Sequence, residues 1–174
     1  MEPVRWRNGV LEVIDQTLLP ARLAYVRLRN VEQVGAAIRT MKVRGAPLIG
    51  VVGAYGLVLS VKKIRTRDLA KARTELRKWA DLLIQTRPTG VNLRWAVERV
   101  YKASDKAGEV SSLKEILSAE AEAIFNIELE AAQKIGKYGS LLLEDWDTVL
   151  THCNAGALAT VGYGTSLAVV RAAV

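Results

Sequence analysis

Residues 46–61, APLIGVVGAYGLVLSV, carry no charged side chain, so a water-soluble fold has to enclose this stretch on every side. The run is shorter than the roughly 20 residues that span a bilayer, which favours a buried helix over a membrane segment. Its breaks, Gly50, Gly53, Gly56 and Ser60, recur every three or four residues. In a helix that spacing stacks them on one face, predicting a seam where a neighbouring backbone packs closely.

The rest of the chain supplies material to build around such a helix. With 174 residues, 50% of them hydrophobic, it is long enough for a domain core. Residues 5–28 alternate between apolar and polar, and Asn8-Gly9 is a strong hairpin signal, predicting two or three short antiparallel strands. After Asn30 the period becomes helical: Asn30 is a fitting cap for Val31, Val34, Ala37, Ile38 and Met41. Further helices are predicted over 47–64, 66–85, 89–107 and 111–137. Thr89 and Ser111 or Ser112 are the expected caps, Glu115 stands at capping-box distance from Ser112, and Gly108, Gly136 and Gly139 are expected stops.

Beyond Gly139, LLLEDWDTVLTHC reads as an apolar strand, and GALATVGYGTSLAVVRAAV returns to helical composition. A strand leading through a glycine-containing turn into a helix is how an α/β layer begins. The expected fold is therefore α/β overall: an N-terminal small β-sheet plus helical bundle over 1–145, then only the first strand and helix of a further α/β unit over 146–174. Val149, Val161, Leu167, Val169 and Val170 would need partners, from missing sequence or from another chain.

A net charge of +7 invites a nucleic-acid reading, but the cations are interleaved with acids and never form a five-residue block. Lys62, Lys63, Arg65, Arg67, Lys71, Arg73, Arg77 and Lys78, with Asp68 and Glu75 between them, read as a solvated helical face that attracts small anions. The expectation is no nucleic-acid partner and no membrane. A single cysteine excludes an internal disulfide, and no leader-like start is present, so a cytoplasmic, reduced setting is expected. Adjacent His152 and Cys153 lack the spacing of a zinc pair, and no metal is expected. Gly162-Tyr163-Gly164 is expected inside a helix, not as a dinucleotide fingerprint. Trp6, Trp79, Trp95 and Trp146 read as core or interface anchors, with Trp6 also placed to close over a ligand.

Three segments carry chemistry. Cys153 is expected between a strand and a helix start, where unsatisfied N–H groups favour thiolate; a buried, inert thiol is the competing account. Arg44-Gly45-Ala46-Pro47 joins a guanidinium to small residues and a proline at a helix start, the makings of a phosphate seat. Arg87-Pro88-Thr89-Gly90 repeats the arrangement. Each is weak alone. Together they suit a phosphorylated ligand whose carbon skeleton faces a thiol.

The motifs Met41-Lys42-Val43-Arg44-Gly45-Ala46-Pro47, Ile49-Gly50, Ala54-Tyr55-Gly56, Arg87-Pro88-Thr89, Val91-Asn92-Leu93, Trp95-Ala96, THCNAGALAT and Gly162-Tyr163-Gly164-Thr165 occur in this order. Together they closely resemble the methylthioribose-1-phosphate isomerase family. That family is similar to the alpha, beta and delta subunits of initiation factor 2B and to ribose-1,5-bisphosphate isomerases. The resemblance implies an aldose-ketose isomerase of methionine salvage, converting 5-methylthioribose 1-phosphate to 5-methylthioribulose 1-phosphate without cofactor or metal, as a homodimer. It implies substrate binding by Arg44, Gly45, Ala46 and Arg87 and catalysis by Cys153, and it makes 146–174 the start of a truncated Rossmann-like domain.

The family's aspartate, glutamine and Asn-Lys pair come from later sequence than Val174, and Asp145 and Asp147 do not replace the aspartate. The expectation is a fragment, a truncated product or half of a split enzyme, inactive alone and completed by a C-terminal chain. A ribose-1,5-bisphosphate isomerase and a non-catalytic initiation factor 2B-like regulatory subunit are the alternatives.

Overall fold

Asn8 and Gly9, with φ of 51° and 71°, make the tight two-residue reversal that suits the twist of flanking strands. In a computed structural model, which describes residues 2–174, this turn joins β1 (Val4–Arg7) to β2 (Val10–Ile14). β3 (Tyr25–Leu28) completes an antiparallel sheet in the order β1-β2-β3. The register pairs Val4 with Val13 and Leu11 with Leu28, so all four point into the core and are buried. On the outer face Glu12 lies opposite Arg27, 2.8 Å away in an ion pair.

Six helices follow: α1 (Val31–Arg39), α2 (Ala46–Ser60), α3 (Leu69–Gln85), α4 (Val91–Ala103), α5 (Leu113–Gly139) and α6 (Ser166–Ala173). Asn30 caps α1 by accepting the Gln33 N–H at 2.9 Å, and Asp68 caps α3 by accepting that of Lys71. Every residue from Leu48 to Ser60 is buried, with α1, α3, α4, α5 and the sheet packed around α2. Ala46–Lys63 is long and apolar enough to cross a membrane, but 72% of it is buried inside this bundle.

The small residues of α2 are closely packed, but only Gly50 meets a neighbouring backbone. A Cβ on Gly50 would lie 3.0 Å from the Asn92 carbonyl oxygen, and one on Gly53 would run into Leu93 and approach Val97. Gly56 meets Val34 and Leu83 in the same way. Absence of side chains at Gly50 and Gly53 leaves room for α4 against α2.

The expected α/β composition is present, a small antiparallel sheet with helices. Several local expectations are corrected. Among the described residues 143–156 pair with no strand; without a neighbouring strand an extended segment has no ladder to complete. Gly90, not Thr89, precedes α4, and Ser112 caps nothing, its hydroxyl donating instead to the Glu109 carbonyl. Gly136 does not stop α5; it is the point where the Ala168 carbonyl of α6 approaches. Gly162 and Gly164, with φ of 125° and 105°, lie in a loop ahead of α6, whose amides at 162 and 164 are gathered by the Thr160 hydroxyl.

Much of the basic surface is engaged by acids: Lys63 with Glu32, Arg73 with Asp105, and Arg77 with both Asp81 and Glu98. Trp79 is half-buried beneath Lys63 and Trp95 is partly exposed beside Arg99. Trp146 is fully exposed and is no core anchor here. Leu141, Leu142 and Leu150 are also largely uncovered, whereas Val161 is buried.

Candidate functional site

The close approach of α2 and α4 brings their first turns together. Gly45 and Gly90, the residues preceding them, offer no side chain to cap the free N–H groups, so both helix starts remain open to an anion. Between them opens a cleft of about 690 Å³, within the range of small-molecule sites. Arg44, Gly45 and Ala46 form one wall, Arg87, Thr89, Gly90, Val91 and Asn92 another, and Cys153 with Asn154 a third. The three segments singled out from the sequence therefore share one hollow.

Arg44 is exposed and Arg87 half-buried, and among the described residues neither is paired with a carboxylate. Arg87 donates through Nη1 to the Met41 sulfur at 3.5 Å. Met41 holds a left-handed backbone, φ 61°, and lines the cleft with Ile49 and Val91 as its apolar part. No carboxylate is among the lining residues.

Cys153 is exposed, not buried as the competing account has it. The expected helix start is not beside it. The next helical turn is the short Ala157–Ala159, and α6 begins only at Ser166. Cys153 sits instead in an irregular turn at φ 66°, a conformation that costs a non-glycine residue energy and is found disproportionately at functional sites. His152 is exposed next to it, and among the described residues no group of three His, Cys, Asp or Glu side chains is placed to hold a metal ion.

Two contacts dock the thiol-bearing loop, one on the arginine-bearing loop and one on the turn Gln16–Leu18 after β2. Gly45, φ 107°, leaves room for the backbone of Ala159, and a Cβ there would come within 2.6 Å of the Ala159 methyl. Gln16 donates through Nε2 to the Leu158 carbonyl at 2.7 Å. Sequence reasoning did not find Gln16, because a single glutamine in a turn carries no pattern. Met41, Ile49 and Asn92 were visible only as parts of longer motifs. Trp6 does not cover this cleft: it stacks on Tyr55, centroids 4.9 Å apart, beside a separate cavity of about 300 Å³.

Residues 42–174 match the model of the initiation factor 2 subunit family. The chain belongs to that family. A 5-deoxyribose 1-phosphate isomerase of Moorella thermoacetica is 49% identical across 95% of this chain and 48% of its own length. Two solved structures superpose with a TM-score of 0.87: the translation initiation factor eIF-2B, subunit delta, from A. fulgidus (44% identity, 99% of this chain, 51% of that one) and 5-methylthioribose 1-phosphate isomerase from Pyrococcus horikoshii OT3 (36%, 98% and 48%). This member of the initiation factor 2 subunit family thus spans about half the length of the curated relatives it matches.

Proposed function

We propose that this chain carries the phosphate seat and the thiol of an aldose-ketose isomerase acting on a pentose 1-phosphate, with 5-methylthioribose 1-phosphate, a compound of methionine salvage, as substrate. The convergence of Arg44, Arg87, two uncapped helix starts and Cys153 on one cleft carries the reading. The guanidinium groups and the N–H groups of Gly45 and Ala46 hold the ester phosphate. Phosphate on the anomeric oxygen prevents ring opening by simple loss of a hydroxyl proton, so an acid must protonate the ring oxygen. A base then moves a proton from C2 to C1. Cys153 is assigned to that transfer.

With Cys153 assigned to the transfer, the acid is a carboxyl group from outside the cleft's own lining, which holds no Asp or Glu. A complementing C-terminal segment supplies it and covers Leu141, Leu142, Trp146 and Leu150, so the chain by itself does not turn over; the completed enzyme is a homodimer. Met41, Ile49 and Val91 favour an uncharged C5 substituent, methylthio or hydrogen, over the second phosphate of ribose 1,5-bisphosphate. A regulatory, non-catalytic subunit would have no use for an exposed thiol in a strained turn at a phosphate seat.

The test combines this chain with the C-terminal half of a family member and assays 5-methylthioribose 1-phosphate, 5-deoxyribose 1-phosphate and ribose 1,5-bisphosphate. Turnover of the first two, lost in Cys153→Ser while substrate still binds, is expected. Near-normal turnover by Cys153→Ser would overturn the assignment.

A further inference from the structure

We propose that Gln16 is a positioning residue: it fixes the register of the Cys153 loop against the two arginines, and this rests on reading the cleft as a joint anion and thiol site. Gln16 opens the short turn Gln16–Leu18 after β2 and is 4% exposed. Its own N–H donates to the Lys42 carbonyl at 3.0 Å, while its side chain donates to the Leu158 carbonyl. Its neighbour Asp15 accepts from Lys42 Nζ at 2.6 Å and from the Thr17 hydroxyl at 2.6 Å. Asp15-Gln16 therefore grips the segment leading to Arg44 through backbone and carboxylate, and grips the thiol loop through a single amide.

The two docking contacts differ in kind. Gly45 against Ala159 is a close steric approach to that residue's backbone and methyl, which excludes a side chain but has no donor and acceptor to align. The Gln16 hydrogen bond is directional and tolerates little displacement. Leu158 stands 142 residues from Gln16 in sequence, so this bond is a long-range constraint and not a local turn device. Displacement of a reacting group by about 1 Å is enough to slow chemistry by two orders of magnitude, which makes the register functionally consequential.

Cys153 is the only cysteine, so alkylation of the intact chain reads one thiol. The measurement is the ratio of rate constants for iodoacetate and iodoacetamide; the thiolate fraction cancels, leaving the effect of nearby cations on a negative reagent. In the wild type this ratio should exceed that of free cysteine by about three- to ten-fold. Gln16→Leu, still folding cooperatively, should bring it down by about three-fold or more. Gln16→Glu adds a readout that a packing defect would not move: the protonated acid can donate to Leu158 and the carboxylate cannot. Its ratio should match wild type at low pH and fall as the pH rises, by more than in Thr17→Glu, which brings the same charge to the exposed neighbouring position without touching the Leu158 bond.

A wild-type ratio that Gln16→Leu retains, or a fall with pH in Gln16→Glu no larger than that in Thr17→Glu, would overturn the positioning role and leave the anion reading standing. A wild-type ratio equal to that of free cysteine would overturn both. Should Gln16→Leu not fold, Gln16→Glu decides.

Discussion

Gly50 of α2 lies against the carbonyl oxygen of Asn92 in α4, with 3.0 Å between that oxygen and the place a Cβ would occupy. The contact sets how near two helix starts come, so a core glycine and an anion site are linked. Gly50→Ala would gain about 1 kcal/mol of helix propensity and lose about 1–3 kcal/mol to overpacking against backbone. The expected outcome is a small net loss in urea stability and a larger loss of inorganic phosphate binding, followed by the amide shifts of Ala46, Val91 and Asn92. A more stable protein with unchanged phosphate affinity would show that the seam does not shape the site.

Arg44 and Arg87 offer a planar fork that a lysine does not reproduce. Arg44→Lys and Arg87→Lys keep the charge, and each should weaken binding of 5-deoxyribose 1-phosphate by about 1–2 kcal/mol, roughly ten-fold. Protection of Cys153 from iodoacetamide by this ligand measures it. Protection unchanged in both variants would remove the arginines from the phosphate seat.

The sequence made the residues of all three walls readable and left the local structure around Cys153 obscure, for physical reasons. Helix starts announce themselves through local chemistry, glycine and proline beside arginine, so Arg44 and Arg87 were legible, as was the seam that unites them. The surroundings of Cys153 depend on contacts distant in sequence. A β-branched, apolar run near Val149 predicts a strand, but pairing needs a neighbour, and the described residues provide none there. Gly162 and Gly164 looked helical by composition, whereas their positive φ values serve a loop organised by Thr160. Gln16 was invisible because its partner lies at the other end of the chain.

Burial opposes ionisation of Asp15, but hydrogen bonds from Lys42 and Thr17 and the Lys42 charge outweigh it, holding the carboxyl below its ordinary value. A carboxyl with a folded value below its unfolded one, about 3.9, stabilises fully above that pH and loses the contribution as pH falls through the folded value. Glu98 acts alike, its carboxyl lowered by the hydrogen bond from Arg77. Asp15→Asn should therefore cost about 1–3 kcal/mol at pH 7 and make stability fall less steeply below pH 4. Urea midpoints between pH 2.5 and 7 check it; an acid limb as steep as that of wild type would contradict the assignment.

Glu128 has the opposite sign. Half-buried on α5, it has its carboxyl raised by burial. Its charge therefore disfavours the fold once pH exceeds the unfolded value, and stability falls as pH rises through the folded one. Glu128→Gln should modestly raise the unfolding midpoint at pH 7 and leave it unchanged well below pH 4. An equal rise at both pH values would assign the gain to packing instead of charge.

Gly45 and Gly9 both have positive φ, 107° and 71°, but only Gly45 has a backbone pressed against it. At Gly9 the first atom a Cβ would meet is Lys62 Nζ, 3.6 Å away on a flexible side chain. Gly9→Ala should therefore cost about 1 kcal/mol from backbone strain alone and leave Cys153 untouched. Gly45→Ala adds the collision with Ala159, for about 2–3 kcal/mol in all, and should dislodge the Ala157–Ala159 turn while α2, which begins one residue later, persists. Circular dichroism should keep its helical signal in both variants, and the iodoacetate preference of Cys153 should vanish only in Gly45→Ala. Its survival there would mean that the thiol loop is held by the Gln16 hydrogen bond without help from the glycine contact.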